Sequence, residues 1–129
     1  MTANRTFLFA HEKLDAYRVA REFLAIATEV ARQMPRGEAA MRDQLERAAS
    51  SIVLNIAEGA GRRPGREKAR FFDLSRGSAA ECAAILDVLA LRSIAPAPLA
   101  ERGRSLLHRS VGLLSGLSRS ALRRSGGGP

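Results

Sequence analysis

Tryptophan is absent from this chain, cysteine occurs once, histidine and lysine twice each, and the aromatic residues number six, five Phe and one Tyr. Each shortage removes a class of protein. A single cysteine, Cys82, rules out an intramolecular disulfide framework, and its place in an apolar helical pattern reads as a small core residue, not a reactive thiol. With only His11 and His108, neither in a Glu-x-x-His sequence, the di-iron site that a helical bundle can host has no nitrogen ligands. The same lack leaves Cys82 and the serines without a base for nucleophilic catalysis. Gly59-Ala60-Gly61 runs on into Arg62-Arg63, not into the Gly-Lys-Ser/Thr of a phosphate loop, and it follows a helical pattern where that loop would follow a strand. No apolar run approaches the ~20 residues of a spanning helix, and the first residues carry no secretory hydrophobic segment. The expectation is a cytoplasmic protein with no metal, no cofactor, no membrane contact and no catalytic residues. Few aromatic and β-branched residues also argue against a strand-rich domain.

What the chain does have is Ala, Leu and Arg. Its 129 residues suit one domain. Ala lets helices approach and Leu fills the seam between them. The net charge is +8, and all the cations except Lys13 and Lys68 are Arg. Arg is the residue of bidentate phosphate and carboxylate recognition, and such a charge on a small domain favours contact with nucleic acid or another polyanion.

Ser51 to Gly59 is the stretch around which the rest is organised. It reads as a buried helix that nevertheless carries Ser51, Asn55 and Glu58 on one face. Buried polar groups need partners, since an unpaired amide costs roughly 2–7 kcal/mol. A second helical stretch supplies Ser75, Ser78 and Glu81 among Phe71, Phe72, Leu74, Cys82, Ile85 and Leu86, and the two are read as packed together.

Around this pair the periodicity predicts four helices, at about 13–34, 38–60, 66–91 and 99–123, behind a lead-in of residues 1–12 whose Phe7, Leu8 and Phe9 are expected to fold onto a bundle end. In the first helix the stripe is Leu14, Tyr17, Leu24, Ala27 and Ala31, widened by Phe23, Val30 and Met34. In the second it is Met41, Leu45, Ala48, Ile52, Asn55, Ile56 and Gly59. In the third, Phe71, Ser78, Cys82, Ile85 and Leu89 recur with Leu74 or Ser75, and Gly77 in mid-helix is read as a close helix–helix approach. In the fourth, Leu99, Gly103, Leu106, Ser110, Leu113, Leu117 and Ala121 form a near-heptad seam, flanked by Leu107 and Leu114. Pro35-Arg36-Gly37, Gly61 to Gly65, and Pro96 with Pro98 mark the turns. Residues 125–129 read as a flexible tail, leaving 13–124 as the domain. Helices of about 22 to 26 residues with short connections give an all-α, antiparallel up-down-up-down four-helix bundle. The Ala-rich stripes on the first and third helices are wider than one core needs, which suggests a homo-oligomer.

Two groups of basic residues stand out. One is the turn and helix start at 62–76, with Arg62, Arg63, Arg66, Lys68, Arg70 and Arg76. The other lies along the fourth helix, with Arg102, Arg104, Arg109, Arg119 and Arg123 beside His108. If they adjoin, Arg62, Arg63, Arg66, Arg102, Arg104, Arg109, Arg119 and Arg123 could follow phosphates without reading bases. Little aromatic interleaving is visible, so base stacking is not expected. Glu58 and Glu81 could in principle form an acid–base pair, but Arg and Asn partners give them a structural use, and no substrate cleft is legible.

Several segments together resemble a known family: Leu14-Asp15-Ala16-Tyr17, Gln44-Leu45-Glu46-Arg47-Ala48-Ala49-Ser50-Ser51-Ile52, Asn55-Ile56-Ala57-Glu58-Gly59, Gly61-Arg62, Arg70-Phe71-Phe72 and Gly77-Ser78-Ala79-Ala80-Glu81. They are similar to the four-helix-bundle proteins encoded in intervening sequences of bacterial 23S ribosomal RNA genes, a family that includes the accessory variability determinants of diversity-generating retroelements. The similarity spans roughly residues 9–95. It implies a pentameric barrel of four-helix protomers and, in the retroelement branch, a basic surface for RNA and a partner reverse transcriptase. Carried over, Ser51, Asn55, Glu58, Gly59, Gly77, Ser78 and Glu81 are signature structural positions, not a catalytic set. The chain departs from the pattern at Ala39-Ala40-Met41, at Cys82 where Leu is usual, and at Arg92-Ser93 where Leu-Gly is common. The function expected is non-enzymatic binding of nucleic acid, RNA first, by a homo-oligomeric ring. The alternative is a scaffold that docks an acidic protein partner, such as a reverse transcriptase, without touching nucleic acid itself.

Overall fold

The computed structural model describes residues 9–126. Among them are four α-helices, two 3₁₀ turns and no strand: a turn Ala10–Lys13, α1 Asp15–Gln33, a turn Arg36–Glu38, α2 Ala39–Ala60, α3 Arg66–Leu91 and α4 Ala97–Gly126. The fourth helix is longer than its sequence pattern suggests. It starts two residues early because Pro98 sits in the first turn, where a missing N–H loses no helical bond, and the Ala100 N–H donates to the Pro96 carbonyl at 3.0 Å. It also continues through Ser125 to Gly126, so the start of the expected tail is helical. The rest of that tail and Phe7 and Leu8 of the lead-in lie outside the described residues. Phe9 is not tucked away as expected; it is 61% exposed.

The helix ends show how the chain reverses. At the end of α1 the Arg42 guanidinium reaches back and donates to the carbonyls of Ala31, Met34 and Pro35. At the end of α2 the Lys68 ammonium donates to the carbonyls of Gly59, Ala60 and Arg62 at 3.0–3.1 Å. Each is a cation placed on carbonyls left over at a helix C-terminus, where the helix dipole also favours it. Gly65, with φ of +146°, makes the corner into α3 that a side chain would strain. At the end of α3 the Ile94 N–H donates to Leu89 and the Ser93 N–H to Ala90, the Schellman pattern that needs a left-handed residue after the cap. Ser93 fills that position with φ of +56°.

Each helix touches its neighbours in the order α1–α2, α2–α3, α3–α4 and α4–α1, with no close approach between α1 and α3 or between α2 and α4. Rising numbers in α2 meet falling numbers in α3. Ser51 faces Ser78, the Ile52 carbonyl accepts from Ser75, and Gly59 lies against Phe71 and Phe72. The shared core holds Phe23, Phe72, Leu45, Ile52, Ile56, Leu86, Leu89 and Leu114, all fully buried. Each such side chain contributes about 1.5–3 kcal/mol over leaving it in water. Cys82 is fully buried and has no disulfide partner.

The buried stripes on α1 and α4 are rotated from those the sequence suggests. On α1 the core takes Ala16, Val19, Ala20, Phe23, Ile26, Ala27, Val30 and Ala31, while Leu14, Tyr17 and Leu24 lie half-buried at its flank. On α4 the core takes Ala100, Gly103, Leu107, Ser110, Leu114, Ser118 and Ala121, and Leu106, Leu113 and Leu117 are the flank. Small residues explain both shifts. A Cβ on Gly103 would lie 3.1 Å from Leu86 and 3.3 Å from Phe23, so this glycine admits its neighbours and turns the bulkier leucines aside. Gly59 does the same between α2 and α3, where a Cβ would stand 3.0 Å from both Phe71 and Phe72. Gly77, expected to mark a close approach, is exposed, with nothing within 4 Å of an added Cβ.

Candidate nucleic-acid interface

The polar residues of Ser51–Gly59 separate into two layers. Ser51 Oγ and Ser78 Oγ are 2.9 Å apart across α2 and α3, and the Asn55 amide donates to the Ser51 carbonyl at 3.0 Å and to its hydroxyl at 2.9 Å. Beneath them the fully buried Ser75 hydroxyl donates to the Ile52 carbonyl at 2.8 Å. The serines join the two helices, and Asn55 holds Ser51 in place from within α2. Glu58 and Glu81 do not take part. Glu58 is exposed and accepts from Arg62 at 2.6 Å, and Glu81 is exposed one helical turn beyond Ser78. Carboxylates on a helix surface keep their solvation, so they need no buried partner. Burial, with the nearby charge of Glu81 adding to it, pushes the Cys82 thiol up to about 12, so it is protonated at neutral pH. Among the described residues no cluster of three His, Cys, Asp or Glu could hold a metal ion.

The two basic groups meet at one end of the helices. Gly65 lies against Ser125, with 3.6 Å from its would-be Cβ to Ser125 Oγ. The end of α4 therefore packs beside the 62–66 turn. Lys68 and Arg124 are close enough that, after burial, the Arg124 charge further lowers the Lys68 pKa. Lys13, Lys68 and Arg124 line a cleft of about 240 Å³ with Leu14, Phe72, Leu117 and Ser120, and among the described residues no acidic one borders it. Arg63, Arg66, Arg119 and Arg123 are exposed here, with no ion pair among the described residues. Arg62 is committed, bound to Glu58 and Glu67 and standing 5.0 Å from the Phe71 ring.

The remaining candidates lie elsewhere. Arg102 is 21 positions before Arg123, roughly 30 Å along a helix, so Arg102 and Arg109 do not join this end although both are exposed and unpaired among the described residues. Arg104 is held by Asp87 of α3. The structure adds three cations to the end that the sequence reading left out of the site: Lys13, Lys68 and Arg124. Arg124 was legible beside Arg123, but it fell on the assumed boundary of a flexible tail.

The sequence that forms these four helices matches that of a known family. The 23S rRNA-intervening sequence protein family covers residues 12–116 of the chain. The chain belongs to that family. A search of curated proteins returned no match. The chain's basic end lies partly beyond the matched region, because Arg119, Arg123 and Arg124 follow residue 116. Among the described residues no helix is long and apolar enough to cross a membrane.

Proposed function

We propose that this protein is a non-enzymatic, cytoplasmic accessory protein that binds nucleic acid, RNA first, through the cationic end of its helices. The observation that carries the reading is the junction of the 62–66 turn with residues 119–124. Uncommitted guanidinium groups from two distant parts of the sequence lie together there with few acidic neighbours. Such a surface neutralises phosphates and releases counterions, which gives affinity with little sequence preference. The family's name supports an RNA connection.

The contact order and the opposed numbering of α2 and α3 support an antiparallel up-down-up-down bundle. Leu74, 44% exposed on α3, supports a further covered face. Our reading is that copies of the chain close into a ring there, pentameric as the family resemblance implies. A ring would repeat the cationic end around an axis and multiply its charge.

Affinity for structured RNA, duplex DNA and a non-nucleic polyanion, titrated with salt, tests the reading. RNA binding that falls steeply and log-linearly with salt is expected. Absence of nucleic-acid binding even at low salt overturns it and leaves a scaffold for a protein partner, such as a reverse transcriptase, as the better account.

A further inference from the structure

Beside the cationic end lies a cleft of about 590 Å³, lined by Phe9, His11, Leu54, Ala57, Glu58 and Arg62 together with Ala10 and Gly61. That falls within the ~300–1,000 Å³ usual for small-ligand sites. Its walls are of three kinds. Phe9 and His11 are stacked, with centroids 5.7 Å apart and planes 12° from parallel, and His11 rests on Tyr17 at 4.5 Å. This aromatic tier ends in a Phe9 ring that is 61% exposed. Leu54, equally uncovered, is an apolar wall. Arg62 supplies a guanidinium that Glu58, Glu67 and Phe71 hold in place, and exposed Arg63 follows it in the chain.

We propose that this cleft takes one unpaired nucleobase of a single-stranded RNA segment, stacked on the free face of Phe9 against Leu54, while its flanking phosphates meet Arg63 and Arg66. The inference rests on the nucleic-acid reading above and gives it a substrate preference, unpaired over duplex. An exposed aromatic ring supported from behind by two more rings is a rigid stacking platform, and every base has a face to offer it. The two exposed apolar side chains and the cations then have one occupant that uses both. A purely phosphate-tracking surface would have no use for Phe9 or Leu54. An apolar protein segment would not use the Arg63 and Arg66 charges.

The test compares two labelled oligoribonucleotides of equal length and charge, one unpaired and base-bearing, the other with its bases removed to leave an abasic backbone. Binding is followed by fluorescence anisotropy at low salt, for wild type and Phe9→Ala. Phe9 is exposed, so its loss leaves the helical core intact. The base-bearing strand is expected to bind wild type roughly ten-fold tighter than the abasic strand, and Phe9→Ala is expected to erase that difference without weakening abasic binding. Equal affinity of wild type for both strands overturns the stacking site while leaving phosphate binding in force. A base preference that survives Phe9→Ala overturns its placement here. Failure of both strands to bind overturns this inference and the nucleic-acid reading together.

Discussion

Alanine at two glycines of the signature region should move stability in opposite directions. Gly59 and Gly77 both lie within helices, where Ala is worth up to ~1 kcal/mol over Gly. At Gly77 nothing lies within 4 Å of the added methyl, so Gly77→Ala should collect that gain, roughly 0.5–1 kcal/mol. At Gly59 the methyl would sit 3.0 Å from Phe71 Cβ and 3.0 Å from Phe72 Cε1. Phe71 Cβ is fixed to the α3 backbone, and Phe72 is fully buried. The Phe rings or the α3 backbone must give way by a few tenths of an ångström, and overpacking of this kind costs about 1–3 kcal/mol. Set against the same propensity gain, Gly59→Ala should come out destabilised by up to about 2 kcal/mol. For a chain of this length 1 kcal/mol is roughly 3–5 °C in Tm. Thermal unfolding by circular dichroism should therefore show Gly77→Ala a few degrees above wild type and Gly59→Ala below it. A Gly59→Ala protein as stable as Gly77→Ala would refute the close approach of α2 to α3. A Gly77→Ala protein less stable than wild type would show that the face around Gly77 is covered in solution.

Three further outcomes follow from single side chains. The Ser110 hydroxyl is fully buried without a hydrogen-bond partner among the described residues, so Ser110→Ala should be neutral or stabilising by about 1 kcal/mol in denaturant unfolding; a loss of stability would mean that the hydroxyl has a partner. Ser93 holds a left-handed backbone that costs a non-glycine residue about 1 kcal/mol, so Ser93→Gly should raise Tm, and a decrease would contradict the Schellman end of α3. Cys82 ionises near its ordinary 9.0 when unfolded but only at about 12 when folded. Its contribution is therefore complete below pH 9 and lost at about 1.4 kcal/mol per pH unit above it. Cys82→Ala should remove that portion of the alkaline slope, and an unchanged slope would show that the thiol is not buried.

Much of the fold was legible because it depends on repetition. The α2 core residues Leu45, Ala48, Ile52, Ile56 and Gly59 recur at helical spacing with few competing apolar residues beside them, so the face could be read directly. α1 and α4 carry apolar residues around more of their circumference, and there the choice is made by partner shape. Gly103 admits Phe23 and Leu86 and leaves Leu106 and Leu113 at the flank, which no periodicity in α4 alone encodes. The polar joint was half visible: Ser51, Asn55 and Ser78 form it, but spacing could not show that Glu58 turns to Arg62 at the surface. Ser93 takes the left-handed position after a helix cap where glycine is the common choice. The cationic end depends on which helix ends meet, a tertiary fact, so Arg124 and Lys13 gained their place only from the fold. The Phe9, His11 and Tyr17 rings meet through the turn before α1, a contact that helical spacing does not encode.

A charge-reversal comparison tests the central claim most directly. One protein carries Arg63→Glu with Arg123→Glu, at the end where the turn meets α4; the other carries Arg102→Glu with Arg109→Glu, further along the same helix. Net charge changes equally in the two, and all four residues are exposed. Measured for RNA at several salt concentrations, affinity should fall sharply and the salt slope flatten in the first protein, with a much smaller change in the second. Equal losses in both, or loss only in the second, would contradict an RNA site at the cationic end.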